Sequence, residues 1–224
     1  MTLPVTPFSL KDAPALIERL LPVQKLSAEV FKERKAGAGQ TLVPLGAYWK
    51  GRKPLIKRRR LYEIAVSCHP DTRVGEYVPF YFCPRSIMLY ILYMGNHPDL
   101  THYRDGQEPV LHLQVDLESA INWADQHGVH WAFSDRNAGS YYTDFYNTRN
   151  ELDKINWNAI KATDFRDPMI KEGKQSEFLI HNTCPWHIVE KIAVLNEKIH
   201  NQVNTILQNA QHKPIVTIEK AWYY

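Results

Sequence analysis

Short segments with strand composition, separated by helical patterns, are the feature that most constrains the fold of this chain. They are rich in aromatic and β-branched residues, and several alternate apolar with polar side chains, as strands do. The predicted strands are Tyr77–Phe82, Val110–Val115, His130–Phe133, Glu177–His181, Ile188–Val194 and Pro214–Ile218. Because helices lie between many short strands, the pattern predicts an α+β fold with mixed or antiparallel sheets rather than a doubly wound parallel sheet.

The predicted helices fall between these strands. One follows Ser9, a second runs from Ser27 to Lys35, and the others are Ile87–Met94, Leu117–His127, Asp153–Ala162 and Asn196–Gln211. The last is the clearest, because Ile199, Val203, Ile206 and Leu207 fall on one face. The stretch Thr41–Asp71 is irregular in pattern, and we expect a long basic loop with little regular structure there.

Length and composition predict one domain over residues 1–224. A chain of 224 residues with 44% hydrophobic content can bury one sizeable core. No run of about 18 apolar residues occurs, and charged residues interrupt the first 20 positions, so we expect neither a membrane span nor a signal peptide. Three widely spaced cysteines suit a reducing compartment. These features predict a cytoplasmic protein.

A basic run is the main charge feature of the chain. Residues 50–60 contain seven cations and no acid: Lys50, Arg52, Lys53, Lys57, Arg58, Arg59 and Arg60. Such a run can hold nucleic-acid phosphates, although a solvated basic loop has the same composition. The neighbouring aromatic residues Tyr48, Trp49 and Tyr62 can stack on unpaired bases, which favours a nucleic-acid groove.

Two residues have the chemistry expected of a reaction centre. Glu177 stands at the mouth of an apolar strand, where a carboxylate can have a raised pKa and act as a base or stabilise positive charge. A solvent-exposed glutamate at the start of a strand is the simpler interpretation of the same residue. Arg59 has the planar donor geometry that matches phosphate oxygens.

Other reactive residue types give weaker indications. Cys68, His69, Cys83, His97 and His102 lack the paired spacing of zinc sites, so no metal site is predicted. Cys83 is a candidate nucleophile beside Arg85, although a small buried residue at a strand end explains it as well. Glycine-rich phosphate-binding patterns do not occur.

Several blocks of the chain, taken together, resemble the DarT family. They are IKRRRL at Ile56–Leu61, GEYVPFYFCPRSIMLYILY at Gly75–Tyr93, GQEPVLHLQV at Gly106–Val115, WAFSDRNAGSYY at Trp131–Tyr142, QSEFLI around Glu177, and the ending Ala221–Tyr224. The resemblance implies an ADP-ribosyltransferase fold of two small sheets around a cleft, with DNA as the substrate. In this family ADP-ribose is transferred from NAD to DNA bases.

The resemblance also implies roles for individual residues. Glu177 matches the family's catalytic glutamate and Arg59 its catalytic arginine, with Cys83 as a further catalytic candidate. The candidate nucleic-acid contacts are Lys57, Arg58, Arg60, Arg136, Asn137, Tyr141 and Tyr142. The candidate substrate-pocket residues are Tyr77, Phe80, Tyr81, Arg85, Ser86 and Trp131. No metal ligand is among them. Trp131, Tyr141 or Tyr142 would receive a base that leaves the stack.

The first 55 residues depart from the family pattern. The family's first strand carries two histidines that contact NAD, and Thr6 and Ser9 stand in their place here. Retention of Glu177 and Arg59 without those histidines resembles the DpdC branch, which is assigned hydration of 7-cyano-7-deazaguanine (preQ0) in DNA to the 7-amido base. We therefore expect hydration without NAD or another cofactor, with Glu177 activating water and Arg59 stabilising the developing charge, or with a thioimidate on Cys83.

Two alternatives remain at this point. The first is an NAD-dependent DNA ADP-ribosyltransferase toxin of the DarT type, with a macrodomain antitoxin as partner. The second is an inactive DNA-binding module, which leaves the retention of Glu177 without a reason. Under the main expectation the partners are DNA and other components of a DNA-modification gene cluster.

Overall fold

Two four-stranded sheets form the framework of the part of the chain that the structure describes. The computed structural model describes residues 2–4, 59–97 and 106–224. The strands in chain order are β1 (Thr2–Pro4), β2 (Ala65–Val66), β3 (His69–Arg73), β4 (Tyr77–Tyr81), β5 (His112–Asp116), β6 (Trp131–Asn137), β7 (Phe145–Tyr146), β8 (Ser176–His181), β9 (Val189–Val194) and β10 (Ile215–Ile218).

The first sheet has the strand order β1-β5-β9-β10, with β9 and β10 parallel and the other pairs antiparallel. The second sheet has the order β4-β8-β6-β7 and is antiparallel throughout. A short hairpin joins β2 and β3. The predicted α+β class with mixed and antiparallel sheets is therefore confirmed.

Five α-helices connect the strands within the described ranges, and each begins at a polar residue that caps it. They are α1 (Ile87–Met94), α2 (Leu117–Gln126), α3 (Trp157–Lys161), α4 (Pro168–Gly173) and α5 (Glu197–Leu207). The side chains of the preceding residues accept hydrogen bonds from backbone N–H groups of the first turn, which otherwise lack partners: Ser86, Asp116, Asn156, Asp167 and Asn196. None of the helices in the described ranges is long and apolar enough to cross a membrane.

Strand β8 separates two hydrophobic clusters, because its side chains alternate between the faces of the second sheet. Phe178 and Ile180 belong to the main core, which also takes residues from β4, β5, β9, α2 and α5. Leu179 belongs to a smaller cluster formed with the β2–β3 hairpin and the segment before it. Glu177 has the strand parity of Leu179 and therefore lies on the side of the smaller cluster.

The structure corrects the expectation for the stretch before β4. Residues 59–63 form one turn of π-helix, and β2 and β3 follow it, where a basic loop with little regular structure was predicted. The predicted helix over Asp153–Ala162 is instead a 3-10 turn over Arg149–Lys154 followed by the short α3. Helix α4 was not predicted, because its six residues are too few to display an apolar stripe. The helices predicted after Ser9 and Ser27 lie outside the described residues.

Histidine side chains line one end of the second sheet. The His69 and His130 rings stack at a centroid distance of 4.2 Å, and the His181 ring lies 5.8 Å from that of His130. Burial lowers the pKa of both His69 and His181, and their neighbouring histidines act in the same direction. The lowered pKa values favour the neutral forms of His69 and His181.

A further histidine, His112 on β5, should make the fold sensitive to acid. Burial lowers its pKa to about 4, and its Nε2 lies 3.1 Å from the Pro84 carbonyl oxygen. The unfolded chain binds the proton near pH 6.5, so stability is lost as the pH falls from about 6.5 to about 4, by on the order of 3 kcal/mol. Urea unfolding across this range should show the loss. His112→Gln should flatten the pH dependence, and His187→Gln, which changes an exposed histidine, should not.

Candidate active site

Glu177 is a buried carboxylate near the beginning of β8. The residue is 2% exposed, and its backbone N–H donates to the Ser134 hydroxyl on β6 at 2.9 Å. Tyr81 on β4 is its partner across the other edge of β8. The two neighbouring strands therefore fix the backbone of Glu177 from both sides. Composition alone suggested a solvent-exposed glutamate at the start of the strand, but in the structure Glu177 is buried.

The Glu177 carboxylate is held by a bidentate ion pair with Arg60. Arg60 Nη1 donates to Oε1 at 2.9 Å and Nη2 donates to Oε2 at 2.7 Å, and the partners are 117 residues apart in the chain. The Ala138 backbone N–H donates to Oε1 at 3.2 Å. Burial opposes the charged guanidinium, but the Glu177 carboxylate outweighs it, and the pKa of Arg60 is raised. A buried carboxylate is tolerable when it is paired in this way.

The structure brings Arg60, not Arg59, to Glu177. Arg59 points elsewhere: its guanidinium carbon lies 4.9 Å from the centroid of the Tyr141 ring, and its Nε is buried without a hydrogen-bond partner. Consecutive side chains on the π-helical turn point in different directions, and composition cannot distinguish adjacent arginines. The geometry therefore makes Arg60 the arginine of the candidate site.

Tyr81 is paired with Glu177 across β4 and β8, so its side chain lies on the same face of the sheet as the carboxylate. Burial raises the pKa of Tyr81, and the negative charge of Glu177 raises it further, whereas Arg60 acts in the opposite direction. The phenol is therefore protonated at neutral pH and is able to donate a hydrogen bond. Of the predicted pocket residues, Tyr81 is the one that lies opposite Glu177.

The loop after β6 closes the site on the other side. Asn137 donates to the Gln175 side chain at 3.0 Å and accepts from the Gly139 N–H at 2.7 Å. A β-carbon at Gly139 would lie 3.6 Å from the Arg60 side chain and 3.0 Å from the Asn137 amide oxygen, so the loop passes close to the arginine. Arg136 lies near this loop and pairs with Asp135 at 2.8 Å.

The exposed part of the same loop carries two tyrosines. Tyr141 is 61% exposed, its ring lies against Arg59, and its hydroxyl donates to the Glu63 carboxylate. Tyr142 is still more exposed. The turn of residues 59–63 and the loop after β6 thus meet twice, through Arg60 near Glu177 and through Arg59 and Glu63 at Tyr141.

Arg85 and Ser86 lie at the beginning of α1. The Ser86 hydroxyl accepts from the Leu89 N–H at 3.2 Å and caps the helix. The Arg85 guanidinium lies over the Tyr224 ring at 4.3 Å, and its Nε is buried without a hydrogen-bond partner. An arginine with a free donor beside a helix N-terminus has the features of an anion site.

Three of the predicted pocket residues lie in the hydrophobic clusters. Phe80 packs in the main core beside Phe178. The Tyr77 hydroxyl lies 2.9 Å from the Thr72 hydroxyl in the smaller cluster. Trp131 is buried in the main core and donates to Asp125 at 2.8 Å. The structure does not bring these three residues to Glu177.

Cys83 is buried behind the site and does not have the features of a nucleophile. It is 6% exposed, and burial raises the pKa of its thiol, against the opposing effect of Lys174. A buried thiol with a raised pKa is a poor source of thiolate. Within the described ranges, no group of three or more histidine, cysteine, aspartate or glutamate side chains is able to hold a metal ion.

The remaining sequence candidates lie outside the described residues. These are Lys57 and Arg58, the rest of the basic run at residues 50–56, and Thr6 and Ser9. Two contacts in the structure could not be predicted from the sequence: the Ala138 N–H donating to Glu177, and the Glu63 carboxylate accepting from Tyr141. Neither residue type is distinctive, so only the three-dimensional arrangement identifies these contacts.

Removing Arg60 should destabilise the fold because it leaves the Glu177 carboxylate buried and unpaired. We expect Arg60→Ala to cost roughly 3 kcal/mol of unfolding free energy, and the double variant Arg60→Ala/Glu177→Gln to recover part of the loss. Urea unfolding of the four proteins in this cycle measures both effects. Arg59→Ala is the matched control and should cost clearly less. A larger loss for Arg59→Ala would contradict the pairing.

Comparison with known proteins gives a consistent result. The model of the family described as "ssDNA thymidine ADP-ribosyltransferase, DarT" matches residues 47–224. A protein named DNA ADP-ribosyl transferase from Thermus sp. (strain 2.9) is 41% identical over 158 residues, which are 69% of this chain and 72% of the relative. Another of the same name, from Escherichia coli O127:H6, is 31% identical over 178 residues, which are 78% of each chain.

Solved structures agree with these relatives. Thermus sp. 2.9 DarT in complex with ADP-ribosylated ssDNA superposes with a TM-score of 0.67 at 33% identity, covering 84% of this chain and 83% of that chain. The same protein in complex with NAD+ gives a TM-score of 0.60 at 32% identity, covering 75% of this chain and 92% of that chain.

These findings overturn the expectation that the chain hydrates 7-cyano-7-deazaguanine without NAD. The relatives are named DNA ADP-ribosyl transferases, and a neighbouring structure holds NAD+. Nothing among these similarities supports the DpdC branch, deazaguanine chemistry or the absence of a nicotinamide substrate. The error came from treating two missing histidines, at Thr6 and Ser9, as a change of chemistry, although a cleft made of many residues can lose two side chains and keep its substrate.

Proposed function

Because the chain belongs to the DarT family, we propose that it transfers ADP-ribose from NAD to a base of single-stranded DNA. The observation that carries this proposal is the buried Glu177 carboxylate, held by Arg60 through both of its oxygens. The family description supplies the reaction class, and the ion pair supplies a charged centre suited to that reaction.

Glu177 is the residue expected to stabilise the transition state. When the bond between ribose and nicotinamide breaks, positive charge develops on the ribose. A carboxylate fixed by β4 and β6 needs little reorganisation to stabilise that charge, and it does so most strongly in a site from which water is excluded. The base nitrogen that forms the new bond to the ribose must also lose a proton. We assign Glu177 as the general base that accepts this proton.

Arg60 holds the carboxylate in a bidentate pair until substrates enter. Both carboxylate oxygens are occupied by its guanidinium, so at least one hydrogen bond must be exchanged for a substrate group. Tyr81 pairs with Glu177 across the sheet, and its protonated phenol can replace part of the lost hydrogen bonding. In its displaced position the guanidinium remains a cation beside the reacting groups, where it can hold a phosphate or a deprotonated base.

The residues at the beginning of α1 suit the pyrophosphate of NAD. Arg85 has a free Nε donor and is fixed over Tyr224, and the capped N-terminus of α1 follows at Ser86. Helix N-termini and arginine forks both bind phosphate oxygens well. We assign NAD to this side of the site, and it supplies the ADP-ribosyl group that is transferred.

The DNA strand is assigned to the opposite side, at the loop after β6. Arg136 and Asn137 end β6, Tyr141 and Tyr142 follow on the loop, and the basic run that includes Lys57 and Arg58 precedes Arg60 in the chain. Cations retain the phosphates, and exposed aromatic rings stack on unpaired bases. A macrodomain antitoxin as partner, a cytoplasmic location and a single domain over residues 1–224 belong to the same proposal.

Glu177→Gln should abolish transfer while leaving substrate binding largely intact. The amide keeps the size of the side chain but loses the charge, and we expect the rate to fall about 100-fold or more, as on removal of a group that stabilises transition-state charge. The measurement incubates the protein with NAD and single-stranded oligonucleotides and follows nicotinamide release together with the gain of one ADP-ribosyl group by mass spectrometry.

Glu197→Gln is the matched control for this experiment. Glu197 lies in the first turn of α5, which packs against the main core, and it is solvent-exposed, so its charge should not influence the reacting groups. We expect wild-type rates from this variant. Nicotinamide release without labelled DNA, or full activity in Glu177→Gln, would refute the proposed reaction.

A further inference from the structure

The contact between Tyr141 and the turn of residues 59–63 holds an exposed aromatic ring in a fixed position. The Arg59 guanidinium covers part of the ring at 4.9 Å, and the Glu63 carboxylate accepts a hydrogen bond from the phenol. The side chain nevertheless remains 61% exposed. Two charged residues therefore orient a ring that stays largely open to solvent.

The backbone of the residue that carries the ring lies close to the backbone donor of the Glu177 carboxylate. Ala138 donates to Glu177, and Tyr141 follows three residues later on the same loop. Since an extended chain spans at most about 3.6 Å per residue, the two backbones are within about 11 Å. Stacked nucleotides rise about 3.4 Å per strand step, so this distance corresponds to at most about three nucleotides.

We propose that Tyr141, oriented by Arg59 and Glu63, stacks on a base that neighbours the modified base and so selects unpaired DNA. The proposal rests on the proposed function for the identity of the strand. A base has a free face for an aromatic ring only where it is not paired and stacked within a duplex. Tyr141 is thus a positioning residue, because it fixes the strand and does not contact the reacting atoms.

The charges around the ring favour a base over a phosphate as its ligand. The Glu63 carboxylate at the phenol repels phosphate, and its hydrogen bond raises the pKa of Tyr141 and keeps the ring neutral. Arg59 on the ring strengthens a stack through its own planar cation.

The test combines protein variants with modified DNA. Single-stranded oligonucleotides with one thymidine are made, and an abasic site is introduced at each neighbouring position in turn. Affinity is measured by fluorescence anisotropy, and transfer from NAD is measured separately. Tyr141→Ala should weaken binding of the intact strand about tenfold, within the range measured for base–aromatic stacking.

One abasic position should reproduce the effect of the variant. At that position wild type should lose about tenfold in affinity, and Tyr141→Ala should lose little more, because the stack is already absent. Tyr141→Phe keeps the ring and loses the Glu63 contact, so its affinity should lie between those of wild type and Tyr141→Ala. Ile215→Ala, which removes a side chain of similar exposure on the distant strand β10, should bind like wild type.

The outcomes separate this inference from the proposed function. Two results would overturn the stacking role even if transfer occurs. One is that Tyr141→Ala loses the same affinity relative to wild type whichever position is abasic, and the other is that it loses no affinity for the intact strand. Conversely, a position-specific loss of binding supports the stacking role even if no ADP-ribose is transferred, a result that would refute the proposed reaction alone.

Discussion

The ion pair between Arg60 and Glu177 is the interaction on which the arrangement of the site depends. A carboxylate with 2% exposure needs a partner, and both of its oxygens find one in a single guanidinium. To reach it, the arginine must come from a π-helical turn that lies beside the smaller cluster. The hairpin β2–β3 and the loop after β6 are in turn positioned around that arginine. The charged centre and its surrounding segments therefore stabilise one another.

Strand β8 explains how one short segment serves both stability and chemistry. Phe178 and Ile180 join the main core, while Glu177 faces the smaller cluster. The strand is anchored on both edges, by β4 and by β6. A carboxylate on such a strand has a fixed backbone, and its surroundings are adjusted by mobile side chains such as arginine. A fixed carboxylate and a mobile arginine suit a site in which the Glu177 charge stays in place while a substrate group replaces Arg60 as its hydrogen-bond partner.

Strand composition and helical periodicity predicted the α+β class and most elements after Tyr77, because those elements bury apolar faces. The resemblance to the DarT family, rather than composition, singled out Glu177. It assigned Arg59 where the structure has Arg60, since that choice depends on the local winding of residues 59–63. It also grouped Tyr77, Phe80 and Trp131 with the pocket, because a family block contains core and site residues in alternation. Backbone donors such as the Ala138 N–H have no sequence signature.

The separation of 117 residues between Arg60 and Glu177 has a consequence for biosynthesis. The contact closes a long loop, so the entropy of closure is recovered only when the intervening strands have assembled. A chain still on the ribosome that has not yet produced β8 possesses the cation but not the carboxylate. Its Arg60 then lacks the carboxylate that pairs with it in the folded protein. The charged centre of the proposed site therefore forms only after β8 has been made.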